Sequence, residues 1–146
     1  MMATIQCELP EYNPPSEEVQ TILKEYKTIA VVGLSPKPER DSHKVASYLK
    51  EEDYEIIPVN PGQKQILGLK SYPNLKAIPF PIDIVDIFRR PEAIPPIVDD
   101  AIEMGAKVVW MQLGIANNQA AEKAREAGLQ VVMNKCMKIE HINLAK

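Results

Sequence analysis

The chain has 146 residues, the size of one domain with a substantial hydrophobic core. Its net charge of -3 argues against a nucleic-acid-binding face, which would be strongly basic. No apolar stretch approaches the roughly 20 residues that span a bilayer, and Glu8 and Pro10 interrupt any N-terminal signal region, so we expect a cytoplasmic protein that binds neither nucleic acid nor membrane.

The first predicted elements are an irregular N-terminal arm at 1–15, which is rich in proline, and a single domain at 16–146. Ser16 fits the N-cap of a helix whose apolar residues recur at helical spacing. A short run of mostly β-branched residues at about 28–33 then predicts a buried parallel strand that ends at Gly33.

Strand and helix patterns alternate along the rest of the chain. Further strands are predicted at about 55–59, 82–88, 107–111 and 129–133. Asp41 or Ser42 is predicted as the N-cap of the second helix, Pro91 opens the third, and Asn117 or Asn118 is predicted as the N-cap of the fourth. Pro95 and Pro96 must lie in the first turn of their helix or kink it. The alternation predicts an α/β fold, a Rossmann-like doubly wound parallel sheet of about five main strands with helices on both faces.

Ligands of an open parallel sheet bind outside the carboxyl ends of its strands. The residues that follow the predicted strands include Gly33, Leu34 and Ser35; Asn60 and Pro61; Phe88, Arg89 and Arg90; Trp110, Gln112 and Gly114; and Asn134, Lys135 and Cys136. This edge offers cations for phosphates, amides for hydrogen bonds and two aromatic rings for stacking. It holds no Ser-His-Asp set, carboxylate pair or metal cluster, so we predict neither catalytic residues nor a metal site.

The turn after the first strand favours a bound phosphate, because backbone N–H groups and the positive end of a helix dipole meet there. An NAD site would have two more glycines in this turn and an acidic residue where Asn60 ends the second strand. The nearby cations are Lys37, Arg40, Lys44 and Lys64. The combination fits a nucleotide with an extra phosphate on its ribose better than it fits NAD.

Five ordered segments resemble the small stand-alone coenzyme A-binding proteins, relatives of the N-terminal domain of the succinyl-CoA synthetase α subunit. The segments are IAVVGLS (29–35), IPVNP (57–61), DIVDIFRRP (83–91), VWMQLG (109–114) and CMKIEH (136–141). The resemblance covers about 16–145 and implies that CoA is the cofactor. It implies that Gly33 to Ser35 hold the pyrophosphate, that Asn60 and Pro61 line the nucleotide end, and that Phe88 and Arg89 cover the cofactor.

Two departures from this family stand out. Leu34 replaces the usual alanine at a close-approach loop, so the affinity for the ligand is expected to differ. Asn134-Lys135 replaces the usual Asp-Arg, which retains the cation and removes a carboxylate.

We expect non-catalytic binding of CoA or acyl-CoA at the carboxyl ends of the strands, with a protein partner or a homo-oligomer as further options. The alternatives are an NAD(P)-binding oxidoreductase or sensor, and one subunit of an acyl-CoA ligase. The candidate cofactor-binding residues are Gly33, Leu34, Ser35, Lys37, Arg40, Asn60, Pro61, Lys64, Phe88, Arg89, Arg90, Gln112 and Cys136. We also predict that Cys136, beside Lys135, forms a mixed disulfide with the CoA thiol under oxidising conditions.

Overall fold

The computed structural model describes residues 8–144. The helices are α1 (Ser16–Glu25), α2 (Asp41–Glu51), α3 (Ile94–Glu103), α4 (Asn118–Glu126) and α5 (Met137–Leu144). The strands are β1 (Thr28–Val32), β2 (Glu55–Val59), β3 (Gln65–Ile66), β4 (Leu69–Lys70), β5 (Ile84–Ile87), β6 (Val108–Met111) and β7 (Gln130–Val132). Short 3₁₀ turns lie at Leu75–Ala77 and Pro91–Ala93.

Five strands form one parallel sheet in the order β2-β1-β5-β6-β7, which confirms the predicted fold class. The strand order reverses direction between β1 and β5, because the chain first adds β2 on one side and later β5 on the other. Open α/β sheets bind ligands in the crevice at such a reversal. The topology therefore places a crevice beside the turn that follows β1.

Helices cover both faces of the sheet. One core contains apolar residues of α1, α2 and α5, and the other contains those of α3 and α4. The four residues of β5 and of β6 are all buried, as parallel strands between two helical layers must be. The predicted proline placement is confirmed, since Pro95 and Pro96 lie in the first turn of α3.

Local signals at the helix ends were partly correct. Asn117 caps α4 by accepting a 3.0 Å hydrogen bond from Ala120 N, as one of the two predicted caps. Ser16 is not an N-cap: Pro15 occupies that position and Ser16 is the first residue of α1. The sequence patterns predicted no helix after the last strand, but Met137–Leu144 form α5, which returns along the sheet face that α1 and α2 cover.

Residues 8–14, the part of the predicted arm that the structure describes, contain no helix or strand. Asn13 nevertheless holds this segment to the end of β7: its Nδ2 donates to Met133 O, and its Oδ1 accepts from Met133 N, each at 2.8 Å. Residues 1–7, including Cys7, lie outside the described range. No helix between residues 8 and 144 has the length and apolarity needed to cross a membrane.

Candidate functional site

The turn after β1 is closed tightly against the end of β5. Gly33 has φ +90° and its N–H donates to Val59 O at 3.0 Å. A Cβ at Gly33 would lie 2.4 Å from Phe88 O and 2.9 Å from Arg89 Cδ. Phe88 N donates to Val32 O at 2.9 Å, which fixes the β5 end at this close approach. Only glycine fits here, because both the backbone conformation and the space exclude a side chain.

Two backbone donors of this turn are used within the chain. Ser35 N donates to Ser42 Oγ at 3.0 Å, and Lys37 N donates to Ser35 Oγ at 3.1 Å. His43 Nδ1 lies 2.9 Å from Ser35 O, and because a carbonyl only accepts, Nδ1 is the donor. These bonds hold the turn against α2 and occupy the N–H groups of Ser35 and Lys37.

The start of α2 retains free donors. Its N-cap is Arg40, whose side chain makes no capping hydrogen bond, and the first intrahelical bond runs from Lys44 N to Arg40 O. The predicted cap at Asp41 or Ser42 is therefore wrong, since both are helical and Ser42 Oγ serves the neighbouring turn. The backbone N–H groups of the first helical turn are left without intrahelical partners, as in helices that bind anions.

Asn60 links the ends of β1 and β2. Its Nδ2 donates to Leu34 O at 2.9 Å and its Oδ1 accepts from Gly62 N at 2.8 Å. Leu34 itself is fully buried in the core beneath α2. The Leu34 side chain therefore packs into the core, and its expected effect on the affinity for the ligand stays a prediction.

A cavity of about 690 Å³ opens at the carboxyl edge of the sheet, between α2, β5, β6 and α5. Its lining contains five of the candidate residues: Phe88, Arg89, Arg90, Gln112 and Cys136. The other lining residues are Asp41, Lys44, Val45, Pro91, Leu113, Gly114, Ile115, Lys138 and Ile139. The remaining candidates lie outside this lining, on the turns that follow β1 and β2: Gly33, Leu34, Ser35, Lys37, Arg40, Asn60, Pro61 and Lys64.

The candidate cations differ in their surroundings. Arg90 Nε lies 3.7 Å from Glu92 Oε2 in an exposed pair. Within residues 8–144, the structure shows no carboxylate within 4.0 Å of the charged groups of Lys37, Arg40, Lys44, Lys64 and Arg89. The anionic groups of a ligand would therefore not compete with an internal carboxylate for these five side chains.

Gln112 is buried, and each polar atom of its amide makes one hydrogen bond within the chain. Its Nε2 donates to Asp86 Oδ1 at 2.5 Å, and its Oε1 accepts from Met137 N at 3.3 Å. Each of these atoms can still make a second hydrogen bond, and the side chain lines the cavity, so the role of Gln112 as a ligand contact stays a prediction. Its amide also connects the central strand β5 to the first residue of α5.

Asp86 was not singled out in the sequence. It is fully buried on β5, and its Oδ2 has no hydrogen-bond partner in the described chain. Burial raises the pKa of Asp86 to about 7, and the hydrogen bond from Gln112 only partly offsets this effect. The only sequence signal for Asp86 was one acidic residue within an apolar strand pattern. That pattern does not show that Gln112 would be its partner.

Trp110 is a core residue rather than a stacking ring at the cavity. It is fully buried, and its Nε1 donates to Lys135 O at 2.8 Å. This bond fixes the loop that carries Cys136, a half-buried free thiol on the cavity wall. Asn134, with φ +59°, accepts a 2.7 Å hydrogen bond from Gly114 N and so joins the loops after β6 and β7.

The histidines lie outside the cavity lining. His141 lies on α5, where its Nδ1 is 2.7 Å from Tyr48 OH. In the described part of the chain, no three His, Cys, Asp or Glu side chains are grouped as metal ligands.

The CoA binding domain family model matches residues 27–142. The uncharacterized protein YneT of Bacillus subtilis is 44% identical over 129 residues, which cover 88% of this chain and 96% of that protein. A hypothetical protein from Pyrococcus horikoshii has a solved structure with a TM-score of 0.89 and 44% identity, covering 97% of this chain and 100% of that one.

Parts of larger enzymes match as well. The α subunit of an ADP-forming acetate–CoA ligase II from Pyrococcus furiosus is 27% identical over 80% of this chain, which spans 28% of that subunit. The predicted resemblance is thus confirmed, both to small proteins of similar length and to one region of ADP-forming CoA ligases. The chain belongs to the CoA binding domain family.

Proposed function

We propose that this chain binds CoA or an acyl-CoA along the carboxyl edge of its sheet and does not itself catalyse a reaction. The observation that carries the proposal is the cavity beside the strand-order reversal, within a chain whose residues 27–142 match a CoA binding domain. The cavity joins a cationic region at α2 to a largely apolar region at β6 and α5.

The phosphates belong at the start of α2 in this proposal. The free N–H groups of its first turn attract an anion, and the nearby turns carry Lys37, Arg40 and Lys64 without internal carboxylate partners. Asn60 and Pro61 lie at the end of β2, one strand further out, and suit the nucleotide end.

The pantetheine arm then crosses the sheet towards β6 and β7. Neighbouring strands lie about 4.8 Å apart, so the ends of β1 and β6 are about 10 Å apart across β5. Phe88 and Arg89 lie on this path, and Cys136 lies beyond it at the end of β7. An extended arm of this length brings the CoA thiol to the part of the cavity that Cys136 lines.

Calorimetry with CoA, 3′-dephospho-CoA and NADP⁺ tests the proposal. We expect CoA to bind about ten- to a hundredfold more tightly than dephospho-CoA, because charge-assisted contacts to a phosphate contribute about 1.5–3 kcal/mol. Lys64→Gln should reduce this ratio, while the exposed Lys107→Gln, which precedes β6 at the opposite edge, should not. Equal affinities for the two CoA forms, or tighter binding of NADP⁺, would contradict the proposal.

A second candidate is one subunit of an acyl-CoA ligase, which the matches to ADP-forming acetate–CoA ligases favour. Against independent catalysis, the cavity wall of the described chain contains one thiol and no histidine, so no nucleophile–base pair is assembled there. Purified chain supplied with ATP, CoA and acetate should form no acetyl-CoA. Turnover at an enzymatic rate would favour the ligase instead.

A further inference from the structure

Apolar side chains are exposed at one end of the cavity. Leu113, in the loop after β6, is 63% exposed, and Ile139, in the first turn of α5, is 49% exposed. Both line the cavity. Ile142 is 40% exposed and lies one turn further along α5, on the same side of the helix as Ile139.

The other exposed large apolar residues of the described chain, Leu9, Tyr12 and Phe80, lie outside the cavity lining. Single exposed apolar residues are common on protein surfaces, but grouped ones at a cavity mouth mark a binding site. Leu113 and Ile139 come from different elements and meet at one cavity, with the half-buried Ile115 and Phe88 deeper in its wall. The group therefore extends the apolar cavity wall outward.

The proposed orientation of bound CoA indicates which chemical group would contact these apolar side chains. This step rests on the proposed function. With its phosphates at α2, CoA directs its sulfur towards the ends of β6 and β7, beside Leu113 and Ile139. An acyl group on that sulfur would emerge over these side chains. We infer that the site takes an acyl-CoA whose acyl group is a hydrocarbon chain, and that Leu113 and Ile139 contact this chain.

The cavity lining contains four cations and one carboxylate, Asp41 in the first turn of α2. Lys44, Arg89 and Arg90 come from α2 and from the segment after β5, on the side where the phosphates are placed. Lys138, the cation contributed by α5, has its Nζ 5.6 Å from the centre of the Tyr48 ring. A terminal acyl carboxylate would lose hydration against Leu113 and Ile139, with Lys138 as the one cation of α5 in the cavity lining, whereas the methyl end of a hydrocarbon chain is stabilised there by leaving water.

Calorimetry on the full chain with CoA, acetyl-CoA, hexanoyl-CoA, octanoyl-CoA and succinyl-CoA tests the inference. Full burial of a methylene strengthens binding about fourfold, so partial burial of the chain should still make octanoyl-CoA at least about tenfold tighter than acetyl-CoA. We expect succinyl-CoA to bind no more tightly than acetyl-CoA. Preferential binding of succinyl-CoA would overturn the inference.

Substitutions at the apolar end provide the control. Leu113→Ser and Ile139→Gln should each lower the ratio of octanoyl-CoA to acetyl-CoA affinity by several-fold. Leu9→Ser changes an exposed leucine outside the cavity lining and should leave that ratio unchanged.

The two proposals fail in different ways. Tight CoA binding with no dependence on chain length would overturn the acyl assignment and leave the CoA site standing, whereas no binding of any CoA form would overturn both. Sedimentation of the same variants tests whether a second copy of the chain covers this surface instead. If Leu113→Ser dissociates a dimer and leaves the acyl-CoA affinities unchanged, this surface is a contact between copies of the chain.

Discussion

The Nδ2 amide of Asn60 donates a 2.9 Å hydrogen bond to the carbonyl oxygen of Leu34, and so joins the end of β2 to the turn after β1. The same side chain accepts from Gly62 N at 2.8 Å. One amide thus both donates and accepts at the point where two strands end. Asn60 is neutral at the proposed nucleotide end, and its two hydrogen bonds require an amide, since a carboxylate has no N–H to donate to Leu34 O.

Asn60→Asp should destabilise the protein and weaken CoA binding. Aspartate can still accept from Gly62 N, but its second oxygen would face Leu34 O without a proton to share. We expect the free energy of unfolding to fall by about 1–3 kcal/mol, as measured by urea denaturation. Asn74→Asp is the matched control, because Asn74 Oδ1 only accepts a bond from Ala77 N. Equal stability of the two variants would refute a role for the Asn60 donor.

Gly33→Ala should disrupt the carboxyl edge of the sheet. The added Cβ would lie 2.4 Å from Phe88 O, and backbone at that position cannot move without breaking the β1–β5 approach. Gly105→Ala is the comparison: Gly105 also has positive φ, +79°, but open space surrounds its Cβ position. We expect Gly105→Ala to cost about 1 kcal/mol and Gly33→Ala to cost more and to abolish CoA binding. Similar thermal midpoints for both variants would contradict the clash.

Asp86 should make stability depend on pH. In the folded chain its pKa is about 7, whereas its ordinary value is 3.8, so between these pH values the folded state holds a proton that the unfolded state has released. The stability that this proton contributes is fully present below about pH 4. It falls by about 1.4 kcal/mol per pH unit as the pH rises, and it is lost once the pH has risen through 7. Asp86→Asn should remove that slope, and the exposed Asp53→Asn should retain it. Parallel stability curves for wild type and Asp86→Asn would show that Asp86 does not carry the effect.

Cys136 should exchange with CoA disulfide. Its thiolate attacks one sulfur of the CoA disulfide, whose S–S bond breaks, so that a Cys136–CoA disulfide forms and one CoA thiolate leaves. Intact-protein mass spectrometry should detect an adduct that dithiothreitol removes. Cys136→Ser should abolish the adduct, and Cys7→Ser should retain it. An adduct on Cys7, or none at saturating CoA disulfide, would make Cys136 an unreactive residue of the wall.

Periodicity alone determined most of the fold. The five parallel strands and the helices α1 to α4 follow from apolar runs alternating with helical spacing, because burial on one or both faces imposes these periods on the sequence. The helix α5 was missed because Met137 is buried while Ile139 and Ile142 are exposed, so its apolar residues do not repeat on one buried face. The order of motifs also determined the family.

Tertiary structure decided which side chains are available to a ligand. A run such as Val108–Met111 is buried on both faces, so its pattern could not show that Trp110 belongs to the core while Leu113 is exposed at the cavity. The partners of Gln112 lie 26 residues before it, at Asp86, and 25 after it, at Met137. A hydrogen bond between distant segments depends on how strands and helices pack, and a local sequence pattern records burial but not the partner that burial brings near.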